Sequence, residues 1–134
     1  GIEFKYPSNW YYLTSGSNLV IVLNTEEMKE FPPDGLAGPI YFVKSPIETN
    51  YQARLQWNKD SFIPESLKIN SNFILSGRTA TQLSGILKPS PAGENTYSKT
   101  TILPLGNYAF TIDLYHQNFE NIYDQILSTF KFLQ

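Results

Sequence analysis

Tyr108-Ala109-Phe110-Thr111-Ile112-Asp113-Leu114-Tyr115 alternates in a way only an extended strand can use. Side chains two residues apart share a face of a strand. Tyr108, Phe110, Ile112 and Leu114 therefore form one apolar face, and Thr111 and Asp113 point the other way. Just upstream, Pro104-Leu105-Gly106-Asn107 is a turn cluster, and Thr100 to Leu103 precedes it. The two strands read as a hairpin. A strand of this kind needs antiparallel neighbours and a cover for its apolar face, and the rest of the sequence supplies both.

Leu67 to Leu75 and Thr79 to Leu87 flank Gly77-Arg78 as a second hairpin, and Lys88 to Lys99 has the composition of a loop. Nearer the start, Asn9 to Thr14 is aromatic-rich and β-prone. It turns at Ser15 to Asn18 into the apolar run Leu19 to Leu23, giving a third hairpin. Glu3 to Tyr6 alternates with Ile2, Phe4 and Tyr6 on one side and ends at Pro7, which cannot donate to a ladder. Ile40 to Val43 is another buried-type strand. Between the strands, Glu26 to Pro39 turns acidic and then rich in Pro and Gly, as a long loop does. Trp10 is expected in the core with one of Tyr11 and Tyr12 exposed, and Tyr41 and Trp57 read as packing residues.

Two segments read as helices. Ser45-Pro46-Ile47-Glu48 has the form of a capping box with proline in the first turn. Ile47, Tyr51 and Leu55 follow as one stripe. The rival reading takes Tyr51, Ala53, Leu55 and Trp57 as alternating strand positions, and the independent capping signal favours the helix. At the end, Asn118 is placed to cap a helix with Phe119, Ile122, Tyr123, Ile126, Leu127 and Phe130 on one face. Hairpin strands covered by amphipathic helices make an α+β architecture, and residues 1–134 read as a single domain without repeats.

Composition removes several functions. With 10 Lys plus Arg against 12 Asp plus Glu, the chain lacks the basic surface that displaces counterions from nucleic acid. Zero cysteines remove a disulfide scaffold, a thiolate zinc site and a thiol nucleophile, and one histidine leaves too few imidazoles for most metal centres. The longest apolar run is strand-sized, so no membrane helix is expected. There is no Asn-x-Ser/Thr acceptor, which disfavours a glycosylated secreted protein. The chain opens on Gly1 and enters strand-like sequence at once, as a mature bacterial exported domain does after loss of a signal or lipid anchor.

No catalytic constellation emerges. His116 reads as a surface histidine: there is no Gly-x-Ser-x-Gly elbow, and Asp113, three residues earlier, belongs to the opposite strand face. Glu26, Glu27, Glu30 and Asp34 invite a hard cation, but only Asp34-Gly35 follows a calcium-loop pattern, so a solvated acidic loop is expected. Phosphate cradles are absent and no cofactor is expected. Arg78, beside Gly77, is a candidate anion contact with solvent as its default partner. Tyr6, Trp10, Tyr11 and Tyr12 lack interleaved cations and do not form a base-stacking platform. The surface residues left as candidate partner contacts are Phe31, Pro33 and Asp34 in the long loop, with Tyr12 and Arg78.

Gly1-Ile2-Glu3-Phe4-Lys5-Tyr6-Pro7-Ser8-Asn9-Trp10 resembles the opening of PsbP-like domains, in which an aromatic strand leads into Tyr-Pro-Ser-x-Trp. Asn107 to Ile112 and Ile126 to Phe132 resemble that family's last strand and closing helix. The resemblance implies an antiparallel sheet between helices, an α/β/α sandwich shared with the Mog proteins. It implies a non-catalytic binding or assembly module, and for bacterial members a place outside the membrane as secreted or lipid-anchored domains. No functional residue carries over, and the basic N-terminal docking segment of the photosynthetic members is not present, so a photosystem role is not expected.

The expected function is thus a non-enzymatic, extracytoplasmic binding domain with a protein partner in the cell envelope. It touches the membrane only through a removed anchor. A second expectation is a carrier of a small apolar or aromatic ligand between sheet and helix. A third, a hydrolase built on acidic residues, needs two carboxylates facing one pocket.

Overall fold

In the computed structural model, residues 2–14, 20–25, 39–89 and 96–133 are described. Residues Tyr108–Leu114 form the central strand, β8, of a seven-stranded antiparallel sheet. The strands before it are β2 (Trp10–Thr14), β3 (Val20–Thr25), β4 (Ile40–Pro46), β5 (Lys68–Leu75), β6 (Arg78–Ile86) and β7 (Tyr97–Leu105). Their order across the sheet is β2-β3-β4-β8-β7-β6-β5. Two meanders, β2 to β4 and β5 to β8, are therefore zipped together along β4 and β8, from Ile40 opposite Leu114 to Pro46 opposite Tyr108. A separate pair joins β1 (Ile2–Glu3) to β9 (Lys131–Phe132). The expected first strand is thus two residues long and lies outside the main sheet.

All three expected hairpin pairs are antiparallel neighbours in the sheet. The turn between β5 and β6 is Ser76-Gly77, both with positive φ, 51° and 78°, as a tight two-residue hairpin turn requires. Arg78 is consequently the first residue of β6 rather than part of the turn. The turn before β8 shrinks to Gly106-Asn107, because Pro104 and Leu105 pair with Ala109 and Tyr108.

The helices lie on opposite faces of the sheet. Helix α1 (Tyr51–Lys59) packs through Leu55 onto Phe62, Leu83, Ile102 and Ala109. Helix α2 (Glu120–Thr129) packs through Tyr123, Ile126 and Leu127 onto Ile40, Phe42, Leu103, Phe110, Ile112 and Leu114. Among the described residues the core cluster under α2 has fourteen buried apolar side chains and that under α1 has five, so the α2 side carries most of the hydrophobic stabilisation. Phe4, Phe42 and Phe130 stack there, with Phe4 and Phe42 centroids 4.5 Å apart, and Phe110 and Phe132 pack on them tilted and edge to face. Trp10 is 8% exposed and sets its edge against Phe119, as expected of a core residue.

Three local expectations are corrected. Ser45 and Pro46 do not open a helix; they end β4, opposite Ala109 and Tyr108. A proline at a strand end costs little, and the Ile47 N–H reaches the Asn107 carbonyl at 2.9 Å instead. The N-cap is Asn50, whose Oδ1 accepts from the Ala53 N–H at 2.8 Å. Asn118 does not cap α2; it sits inside a 3₁₀ turn, Gln117–Phe119, that feeds the helix. Tyr97 to Lys99 belong to β7, because Lys99 and Tyr97 find acceptors on α2. Lys99 Nζ lies 3.2 Å from Glu120 and 3.0 Å from Asp124, and the Tyr97 hydroxyl donates to Glu120.

A hydrogen-bonded polar chain, buried at Thr101 and Tyr123, sets the seat of α2. The Gln82 amide donates to Thr101 Oγ1 at 3.1 Å, and the Tyr123 hydroxyl donates to the Ile112 carbonyl. A phenol has one proton, so Thr101 is the donor in its 2.8 Å contact with Tyr123. Tyr123→Phe leaves the buried Thr101 hydroxyl without its acceptor. It should cost about 1–3 kcal/mol in urea unfolding; an unchanged midpoint would show that the chain does not hold the helix. On the other face, a Cβ at Gly85 would lie 2.7 Å from the Ser66 carbonyl oxygen, with φ at +154°. Gly85→Ala should therefore destabilise by more than about 1 kcal/mol in the same assay, whereas a neutral result would mean that the Ser66 turn yields.

Candidate functional site

On the α1 side of the sheet, the residues that alternate with the apolar set of β8 are the buried Thr111, the half-buried Asp113 and, beyond the strand, the half-buried Tyr115. Beside them on β7 are the buried Ser98 and Thr100. Where α1 crosses this face, a cleft of about 250 Å³ opens, with Asp113, Thr100, Thr111 and Ser98 on the sheet side. Arg54, Trp57 and Asn58 line it from the helix, and Val43, Phe62 and Leu87 give it an apolar portion. A shallower hollow of about 410 Å³ lies on the other side of Arg54 and Trp57, toward Pro46 and Glu48.

The helix explains why these two side chains stand at the rim. Leu55 is the residue α1 buries, and Arg54 and Trp57, three positions apart, are neighbours on one side of the helix turned away from it. Trp57 is 62% exposed, which corrects its reading as a packing residue. The Arg54 guanidinium lies 4.9 Å over the indole, and its Nε donates to Asn58 Oδ1 at 3.2 Å. Stacking plus one hydrogen bond fixes the plane of the guanidinium.

Asp113 is the electrostatic centre of the cleft. Thr100 Oγ1 donates to its Oδ1 at 2.9 Å. Burial lifts its carboxyl from the ordinary 3.8 to about 6, against the opposing pull of Thr100, Arg54 and Thr111. Among the described residues the ion pairs belong to Lys99, and Arg54 and Asp113 do not close to pairing distance. Burial also raises the Tyr115 hydroxyl strongly, with the Asp113 charge and Tyr41 adding to it. Tyr41 and Tyr115 meet edge to face, 5.4 Å between centroids.

The residues singled out from sequence fall elsewhere. Phe31, Pro33 and Asp34, and with them Glu26, Glu27 and Glu30, lie outside the described residues. Tyr12 is 57% exposed on the edge strand β2, its ring against that of Tyr6. Arg78 lies at the start of β6 with its guanidinium 4.8 Å over the Phe132 ring, so its charge is held against an aromatic face. Four strands separate β2 from β6, and the two residues are not brought together. His116 is exposed beside Phe119, away from the cleft lining. Sequence reasoning missed Arg54, Trp57 and Thr100. The one available signal was Asp113 itself, a carboxylate within the central strand.

No protein-family model matches the chain, and no curated protein matches it. Among solved structures it is similar to a crystal structure from Bacteroides thetaiotaomicron VPI-5482, with TM-score 0.58 and 14% identity over 99% of this chain and 45% of that one. The chain thus spans less than half the length of that protein. It is also similar to LpqN, a protein involved in cell envelope biogenesis of Mycobacterium tuberculosis, with TM-score 0.48 and 18% identity over 97% of this chain and 82% of that one. The likeness is one of fold, an antiparallel sheet with helices on it.

The raised carboxyl has a thermodynamic consequence. With a folded pKa above the unfolded one, the folded chain holds the Asp113 proton more tightly between pH 3.8 and about 6. The stability this adds is fully present below pH 3.8 and is lost as pH rises through about 6. At neutral pH the loss amounts to at most about 3 kcal/mol. Asp113→Asn should therefore be more stable than the parent near about pH 7.5 and equal to it near about pH 4, read by urea unfolding. An Asn variant that is weaker at neutral pH would mean that the charged form is the one the fold favours.

Proposed function

We propose that this chain is a non-catalytic binding domain that meets its partner on the α1 side of the sheet. The observation that carries this reading is the cleft beside α1, where Trp57 is exposed at the rim above two opposite charges that do not pair with each other. Exposed tryptophan next to arginine is the composition of an interface anchor. Binding fits the lining better than turnover does. Its charged groups are one carboxylate and one guanidinium, and no second carboxylate among the described residues faces Asp113 across the cleft, as hydrolysis by paired acids requires.

The same cleft redirects the carrier reading. Between α2 and the sheet the space is filled by the phenylalanine stack and Tyr123, whereas the room beside α1 has a charged floor. Any small ligand held between sheet and helix on that side is polar in part. We further read the fold as PsbP-like and its working place as outside the cytoplasmic membrane, with a protein partner in the envelope. Support for this comes from the Tyr6-Pro7-Ser8-Asn9-Trp10 opening and the closing strand and helix, together with helices on both faces of the sheet. Among the described residues no helix is long and apolar enough to cross a membrane.

Site-specific photo-cross-linking in source cells tests the reading. A benzophenone side chain at position 57 should yield adducts with an envelope protein, and one at Gln125, exposed on α2, should not. Adducts from position 125 alone, or with cytosolic proteins alone, would overturn it.

A further inference from the structure

We propose that the cleft beside α1 binds a free α-amino acid, with its ammonium on Asp113 and its carboxylate on Arg54. This rests on the α1 side being the binding face and names the ligand class for it.

Arg54 comes from the helix and Asp113 from the central strand, and both line one cleft of about 250 Å³. They are near enough for the arginine to act on the carboxyl, yet among the described residues they form no ion pair. Each therefore keeps capacity for another partner. The Arg54 plane is fixed by Trp57 and by the bond to Asn58, and among the described residues its terminal amino groups have no hydrogen-bond partner. Two parallel N–H groups in a fixed plane match a carboxylate. Asp113 receives a hydrogen bond at 2.9 Å from Thr100 and is also acted on by the Thr111 hydroxyl, which leaves part of the roughly four acceptor sites of a carboxylate open. A half-buried carboxylate whose neighbouring cation, Arg54, stays beyond pairing distance is expensive, and an ammonium supplies both a closer charge and three donors.

The pairing of charges selects the class. A purely cationic ligand would meet Arg54, and a purely anionic one would meet Asp113. A molecule with both charges a few ångströms apart satisfies both. The volume lies below the roughly 300–1,000 Å³ of sites for drug-sized ligands, so the occupant is small. Val43, Phe62 and Leu87 line the remainder, which suits an apolar side chain.

The test is an NMR titration of the ¹⁵N-labelled full chain with L-leucine, N-acetyl-L-leucine and L-leucinamide. The two derivatives remove the ammonium and the carboxylate charge in turn at nearly constant side-chain size. Leucine should shift the amides of Arg54, Thr111 and Asp113 and bind at least about tenfold more tightly than either derivative, as loss of one charge-assisted contact implies. Arg54→Gln and Asp113→Asn, each with an otherwise parental spectrum, should each weaken leucine by a similar factor. Equal or tighter binding of a blocked derivative, shifts confined to other regions, or no shifts at tens of millimolar leucine would overturn the proposal. Any of these would leave cross-linking from position 57 untouched, so the ligand class can fail while the binding face stands. Loss of both would remove the face as well.

Discussion

The structure depends on the seat of α2, and that seat is fixed by a hydrogen-bonded chain that runs from half-buried Gln82 to the fully buried Thr101 and Tyr123. Gln82, Thr101, Tyr123 and the Ile112 carbonyl link β6, β7, the helix and β8 in series. Hydrophobic burial alone would allow the helix to slide or rotate over the phenylalanine cluster, because dispersion is not directional. The polar chain removes that freedom, since any shift strands a hydroxyl in an apolar core. Lys99, reaching both Glu120 and Asp124, clamps the first turn of the helix to the same strand pair. With the helix fixed, Phe130 and Phe132 fall onto Phe110, and β9 is delivered to β1.

Placing most of the apolar core on the α2 side leaves the other face of the same strands lightly loaded. There β7 and β8 present Ser98, Thr100, Thr111 and Asp113 where a second core would need leucine or valine. A half-buried carboxylate favoured in its protonated form weakens the fold at neutral pH, and the large core opposite offsets that cost. Groups held at the expense of stability are a common mark of working surfaces. The α1 helix contributes one buried leucine and spends its neighbours, Arg54 and Trp57, on the rim of the cleft.

Much of this was legible in the sequence where the cause is local. The alternation at Tyr108 to Leu114 gave both faces of the central strand, and the three-and-four spacing from Phe119 to Phe130 gave the buried face of α2. Turn residues such as Gly77 and Gly106 located the hairpins. Where the cause is distant, the reading failed. Ser45 and Pro46 have the form of a capping box, but the ladder to Ala109 and Tyr108, more than sixty positions away, outweighs a cap worth ~1 kcal/mol. Tyr97 to Lys99 look like loop until the carboxylates of α2 are placed beside them. The cleft was illegible for the same reason: Arg54, Trp57, Thr100 and Asp113 are brought together by the sheet order, which no local pattern encodes. Trp57 in particular reads as a packing residue because large aromatic side chains usually are.

One measurement bears most directly on the claim that this sheet has a packed face and a charged, receptive one. Side-chain carboxyl carbons followed by NMR across a pH titration report the ionisation of Asp113 in the folded chain. The account predicts a midpoint near 6, set apart from the exposed carboxylates. A midpoint near the ordinary 3.8 would contradict it, because the carboxylate would then be solvated or already paired and the cleft would hold no unsatisfied charge.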